Sequence, residues 1–289
     1  MIKLDNRGEI VDSFLNEWDF KTMKMVKEPG LGFAREIVEK FPNEFVGGIV
    51  YGPRRTTKSI YSLKVMMEIF MAFGCSEEDA WKLALGSMYF DIEKLASLLN
   101  RLAKEEKVWP VVTLDDAGVG AGSQKWFTDR EQYNALKNML DTVGTVLSGF
   151  ILTTPTFTKI MPFIRDSMDI YRIKITKAGG AHIDRKDVGW ERKATGYKID
   201  VLPSGTIRIR SKASKGGGFV DEYSGYLINE RYNEYLHVRL PYTIKTTSEA
   251  LEIIRKSQKR KIDKIIGKDE LVDMREQIDE ALKGYEKRE

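Results

Sequence analysis

Apolar residues along the chain fall into short continuous runs that alternate with stretches of helical spacing. Phe45 to Tyr51 is an apolar, β-branched run of the kind a strand buried on both faces requires, and it leads directly into Gly52. Thr57 to Phe73 then places Ile60, Leu63, Met67 and Phe70 at helical intervals, with Gly74 as a stop. Before these, residues 31 to 41 read as a short helix ended by Pro42. After them, Ser76 with Glu77 to Asp79 forms an N-cap and acidic first turn for a helix to about Leu85. Ser87 to Phe90 reads as a short strand, Asp91 opens a helix through Lys104, and Val108 to Leu114 is a second strong strand. A Gly-rich loop, Ala117 to Ser123, precedes a helix over Asp129 to Val143 and a third apolar strand over Val146 to Thr153. Strands alternating with helices predict an α/β fold of three layers, a mainly parallel sheet covered on both faces.

Beyond about residue 168 the period changes. Ile170 to Thr176, Tyr197 to Leu202 and Thr206 to Ser211 alternate apolar and polar positions, with Pro203-Ser204-Gly205 as a hairpin turn. This predicts an antiparallel β appendage with long basic loops. Thr247 to Glu289 is helical and highly charged, broken near Gly267. The expected organisation is an N-terminal extension over 1–43, a core over 44–176, a basic β appendage over 177–246 and a helical tail over 247–289.

Gly52-Pro53-Arg54-Arg55-Thr56-Thr57-Lys58-Ser59 fits the phosphate-loop pattern G-x-x-x-x-G-K-[ST], with Thr57 standing where the last glycine usually does. The spacing has a physical basis: a loop after a buried strand wraps its N–H groups around a phosphate chain and hands it to the next helix N-terminus. Lys58 is expected to reach the β- and γ-phosphates and Ser59 to hold Mg²⁺. Arg54 and Arg55 add positive charge beside the same anion. Val111 to Asp116 is an apolar strand ending in two carboxylates, which suits Asp115 to Mg²⁺ and Asp116 to polarising an attacking water. ATP and Mg²⁺ are therefore the expected cofactors.

On these motifs, residues 44 to 176 resemble the additional-strand P-loop ATPases, the group that holds AAA+ proteins, RecA-like motors and the FtsK-HerA and terminase-type DNA pumps. The resemblance implies a further strand between the phosphate-loop strand and the Walker B strand, ending in a polar sensor residue, here Thr153 or Thr154. Ser87 to Asp91 with the helix to Arg101 is similar to the DnaC-like helicase-loader branch, which implies an arginine finger at Arg165 or, second, Arg172. No C-terminal helical lid with a sensor arginine is evident, which favours a RecA-like or divergent viral or plasmid-type ATPase.

Charge adds a partner. The whole chain carries 47 Lys+Arg against 43 Asp+Glu, an ordinary balance. From Arg172 to Lys215, however, twelve basic residues face four acids. Such a block attracts phosphates, and Trp190, Tyr197 and Phe219 offer faces for stacking on bases. Lys177, Arg185, Lys186, Arg192, Lys193, Arg208, Arg210, Lys212 and Lys215 are thus the expected nucleic-acid contacts, to DNA, single or double stranded, rather than RNA. The expected function is a nucleic-acid-dependent ATPase that loads, moves or packages DNA as a homo-oligomer. The alternative is an ATP-dependent DNA-binding switch or scaffold with little turnover. One cysteine, Cys75, and two separated histidines, His182 and His237, give neither a disulfide framework nor a zinc site. With no apolar run near 18 residues, no membrane partner is expected, and the cytoplasm of an archaeal or bacterial host carrying a virus or plasmid is the expected compartment.

Overall fold

The computed structural model describes residues 18–54, 56–117, 130–160, 162–165, 170–177, 191–201, 207–209 and 218–265. The chain divides into two units, Met1–Val238 and Arg239–Glu289.

The first unit is built on a seven-stranded sheet. In chain order it contains α1 (Gly32–Lys40), β1 (Val46–Tyr51), α2 (Lys58–Ala72), α3 (Glu77–Gly86), β2 (Met88–Tyr89), α4 (Ile92–Lys104) and β3 (Trp109–Leu114). There follow α5 (Arg130–Thr142), β4 (Leu147–Thr154), the short α6 (Pro162–Arg165), β5 (Ile170–Lys177) and β6 (Glu191–Tyr197). Then come β7 (Ile199–Val201), β8 (Ile207–Ile209), β9 (Gly218–Ser224) and α7 (Asn229–Ile265), whose later part belongs to the second unit. The sheet order is β2-β3-β4-β1-β5-β6-β9. β2, β3, β4, β1 and β5 run parallel, whereas β6 and β9 are antiparallel additions. With helices on both faces this is the three-layer α/β fold, and β4 lies between β1 and β3.

Local chemistry explains the elements. Ser76 accepts a hydrogen bond from the Asp79 N–H and Asp91 one from the Glu93 N–H, so α3 and α4 both begin on side-chain caps. β1 carries glycine where the helix layer comes closest: a Cβ on Gly48 would lie 2.4 Å from Cζ of Phe33 on α1. The core between α1, α2 and the sheet holds Phe33, Ile37, Tyr61, Met66 and Phe70, all fully buried.

Three expectations change. Phe20, within the expected N-terminal extension, is 2% exposed and packs its ring against Phe70, Phe73 and Trp109, so at this residue the expected extension enters the core. The expected β appendage is not a separate body, because β6 pairs with β5 and β9 with β6, and both extend the central sheet. β9 was not anticipated. Its first residue, Gly218, is the last of a glycine triplet that reads as a loop, yet Phe219, Asp221 and Tyr223 turn inward with strand period while Glu222 and Ser224 face outward. Among the described residues, β7 and β8 form a separate two-stranded ladder.

The third change is at the C-terminal end, where α7 begins at Asn229 rather than near Thr247 and runs through Pro241. A proline inside a helix removes a backbone donor, yet the helix continues through it. Among the described residues no helix is long and apolar enough to cross a membrane.

Asp221 ties the added strands to the parallel core. Its carboxylate accepts from the N–H groups of Gly32 (2.6 Å) and Phe33 (3.4 Å) at the start of α1, and from the Tyr61 hydroxyl on α2 (2.6 Å). An acid at a helix N-terminus satisfies donors the helix cannot. Burial nevertheless holds the Asp221 carboxyl above its ordinary value, with the bonds from Tyr61, Gly32 and Phe33 pulling it back.

Candidate functional site

The loop between β1 and α2 carries the expected phosphate-binding residues at the C-terminal edge of the sheet. Gly52 has φ of 152°, and a Cβ there would meet the carbonyl oxygen of Ile175 at 2.7 Å, so the first position of the motif admits only glycine. Thr56 closes the loop by donating from Oγ1 to the Pro53 carbonyl at 2.7 Å. Thr57, in the place of the usual second glycine, adopts the left-handed conformation that glycine would take, with φ 60° and ψ 31°. A β-branched residue there is strained. Its hydroxyl donates to the Thr56 carbonyl (2.6 Å) and lies 3.3 Å from the Tyr223 hydroxyl on β9.

Lys58, the first residue of α2, turns its ammonium back over the loop, donating to the carbonyls of Gly52 (3.0 Å) and Pro53 (2.8 Å). Arg54 and Pro53 are exposed, and Arg55 lies outside the described residues.

Across from this loop, Asp115 sits at the end of β3 and is 1% exposed. The Ser59 hydroxyl donates to its Oδ1 and Oδ2 at 2.8 and 2.9 Å. The Thr153 hydroxyl, at the end of β4, also donates to Oδ1. Asp116 has φ of 52° and its N–H donates to Thr153 Oγ1 at 3.0 Å. Parallel pairing of β3 with β4 and of β4 with β1 brings these strand ends together. Lys58, Ser59, Asp115, Asp116 and Thr153 therefore lie together at the strand ends.

Other expected residues fall elsewhere. Thr154 is buried but bonds into its own strand exit, donating to the Thr156 carbonyl at 3.0 Å, so of the two threonines Thr153 is the one at the carboxylate. Arg165, on α6, is engaged through its carbonyl, which accepts from Arg172 at 3.1 Å, and the Arg172 guanidinium lies over the Phe157 ring. Arg192 is 6% exposed, on the inward face of β6 opposite Tyr223, and so is not a surface contact for nucleic acid. The strand period of β6 turns it in, whatever its charge. Lys193, its neighbour, faces the other way and is half-buried. Lys177 and Arg208 fall on β5 and β8, while Arg185, Lys186, Arg210, Lys212 and Lys215 lie outside the described residues.

Two tyrosines at the site were not found by sequence reasoning. Tyr223 buttresses Thr57, packs its ring on Tyr61 and is pushed by burial up to about 12, against the pull of its bond to Thr57 and of the Arg192 charge. Tyr235, on α7, donates to Asp115 Oδ2 at 3.4 Å. The available signals were the alternation Phe219, Asp221, Tyr223 and the helical spacing Arg231, Tyr235, Val238.

The donor set fits a hard divalent cation. Ser59 and Asp115 offer only oxygen ligands, and among the described residues no group of three His, Cys, Asp or Glu could hold a metal unaided. That suits Mg²⁺, which keeps water and phosphate oxygens as most of its ligands.

Comparison with known proteins gives a viral relative. The chain is 25% identical over 217 residues, 75% of its length and 82% of the other's, to the uncharacterised protein B-251 of Sulfolobus spindle-shape virus 1. Among solved structures it is similar to the KaiC-like protein PH0186 of the hyperthermophilic archaeon Pyrococcus horikoshii OT3, at 13% identity and a TM-score of 0.35, over 65% of this chain and 99% of that one. No family model matches.

Proposed function

We propose that the chain binds ATP with Mg²⁺ and hydrolyses it. The observation that carries this reading is the Ser59–Asp115–Thr153 cluster, set at the N-terminus of α2 and beside Lys58. A fifteen-residue helix beginning at Lys58 would turn its N-terminal N–H groups and its positive dipole end toward a phosphate chain. Lys58 would exchange its bonds to the Gly52 and Pro53 carbonyls for phosphate oxygens, which are stronger, charged acceptors. Bound Mg²⁺ would neutralise charge developing on the transferred phosphoryl group. Ser59 and Asp115 would hold it, and Thr153 fixes the carboxylate and, through the Asp116 N–H, the turn that carries Asp116. Asp116 is then the group to orient the attacking water.

Dependence on nucleic acid is the finer part of the proposal. It rests on the excess of basic over acidic residues from Arg172 to Lys215, with Arg192 and Lys198 set aside as buried, and the viral relative fits a role in a virus or plasmid. Assembly as a homo-oligomer would let Arg165 serve a neighbouring copy's site. The second reading, a switch with little turnover, draws on Asp116, whose side chain is one methylene shorter than the glutamate that usually polarises the water, and on strained Thr57.

The test is ATP hydrolysis by the purified protein, with and without single- and double-stranded DNA, beside Lys58→Ala. DNA-stimulated turnover that Lys58→Ala abolishes supports the motor. Binding without turnover supports the switch, and wild-type behaviour of Lys58→Ala in both binding and hydrolysis would sink the reading.

A further inference from the structure

Tyr235 belongs to a part of the chain that the phosphate-loop fold does not require, yet it reaches the carboxylate at the centre of the site. It lies on the first turns of α7, and those turns are fastened to α3. Arg231 pairs with Glu77 at 2.8 Å and stacks over the Trp81 ring, and the Trp81 indole N–H donates to Glu234 at 2.5 Å. Tyr235 and Val238, each 3% exposed, continue the same helical face inward.

A carboxylate offers about four lone-pair positions. The one proton of the Ser59 hydroxyl is shared between Oδ1 and Oδ2 of Asp115, while Thr153 donates to Oδ1 and Tyr235 to Oδ2. A divalent cation held through Oδ2, directly or through its water, competes there with Tyr235. The Tyr235 bond, at 3.4 Å, is the longest of these contacts and the first to yield.

We propose that Tyr235 is an occupancy sensor for the metal–nucleotide site: its hydroxyl holds Asp115 when the site is empty and is released when the cation arrives. The first turns of α7 then lose a tether each time Mg²⁺ and nucleotide bind, and regain it on release. This rests on the ATP and Mg²⁺ reading above and adds its coupling to α7. It casts Tyr235 as a positioning residue, not a catalytic one.

The test uses the full chain with Mg²⁺ and a non-hydrolysable ATP analogue. Affinity is measured by calorimetry and amide exchange is followed in peptides covering 229–238, for wild type, Tyr235→Phe and Lys58→Ala. In wild type, exchange in 229–238 should rise with Mg²⁺ plus analogue and not with analogue in chelator. Tyr235→Phe removes a competitor for Asp115, so it should bind the magnesium–analogue complex about two- to fivefold tighter, with exchange already high in the empty protein. Weaker or unchanged binding by Tyr235→Phe, with a wild-type exchange response, would overturn the sensor and leave a plain strut. If wild type binds no analogue and Lys58→Ala matches it, the ATP reading fails together with the sensor. If wild type binds in a Lys58-dependent way and Tyr235→Phe matches it in affinity and exchange, the sensor alone fails.

Discussion

The hydroxyl of Tyr223, on the last strand of the sheet, lies 3.3 Å from the hydroxyl of Thr57, in the loop after the first. Thr57 already donates its proton to the Thr56 carbonyl, which makes Tyr223 the natural donor of the pair. The bond explains how a threonine can stand where φ is 60°. Left-handed backbone costs an L-residue about 1–2 kcal/mol, and a buried hydrogen bond returns about 1 kcal/mol. The last added strand, β9, therefore supports the phosphate loop directly.

Thr57→Gly should then stabilise the fold slightly or leave it unchanged, within about 1 kcal/mol, because relief of strain offsets the lost bond and the freer unfolded chain. ATP affinity should hold or improve. Tyr223→Phe, which keeps the strain and removes the donor, should destabilise by about 1 kcal/mol. Thermal denaturation of the two variants, with and without nucleotide, measures both, and a clear loss of nucleotide affinity in Thr57→Gly would refute the strain argument.

Thr153 and Thr154 are adjacent and both buried, and only the first touches Asp115. Thr153→Ala leaves Asp115 short of a donor and the Asp116 N–H without its acceptor, so kcat for ATP should fall at least tenfold. Thr154→Ala should change kcat by less than threefold and cost about 1 kcal/mol of stability through the lost turn bond. Equal effects of the two substitutions on kcat would show that Thr153 has no special role.

The half of the site that is local in sequence was legible, and the half that is assembled by tertiary structure was not. Gly52, Lys58 and Ser59 lie within one strand–loop–helix unit, and Asp115 closes an apolar run. Each announces itself by spacing. Tyr235 meets Asp115 across 120 positions and Tyr223 meets Thr57 across 166, with no pattern linking either pair. Charge misled at Arg192, where composition points outward and strand period points inward. The start of the last helix was also missed: the expected helix opens at Thr247, whereas the observed one begins at Asn229 and runs through Pro241.

Phe20 gives a test of where the core begins. It is 2% exposed and meets the rings of Trp18, Phe70, Phe73 and Trp109, although it lies in a segment with no clear hydrophobic period. Phe20→Ala should cost about 3–5 kcal/mol, the usual range for deleting a buried aromatic ring. Urea denaturation checks this, and a loss under about 1 kcal/mol would return residues 18–22 to the status of a loose extension.

High pH should loosen the fold at identifiable tyrosines. Burial raises Tyr61 well above its ordinary value, with the Asp221 charge and hydrogen bond acting in the same direction, and raises Tyr223 to about 12. A folded-state value above the unfolded value of about 10 contributes stability that is intact below pH 10 and lost as pH rises toward 12. Stability should therefore decline between about pH 10 and 12. Phenolate absorbance for these two groups should appear only as the protein unfolds. Tyr223→Phe removes one of the ionisations and should make that decline shallower, which circular dichroism across the same range would show. A slope unchanged by Tyr223→Phe would mean that its phenol titrates alike in both states, and that burial on β9 does not govern it.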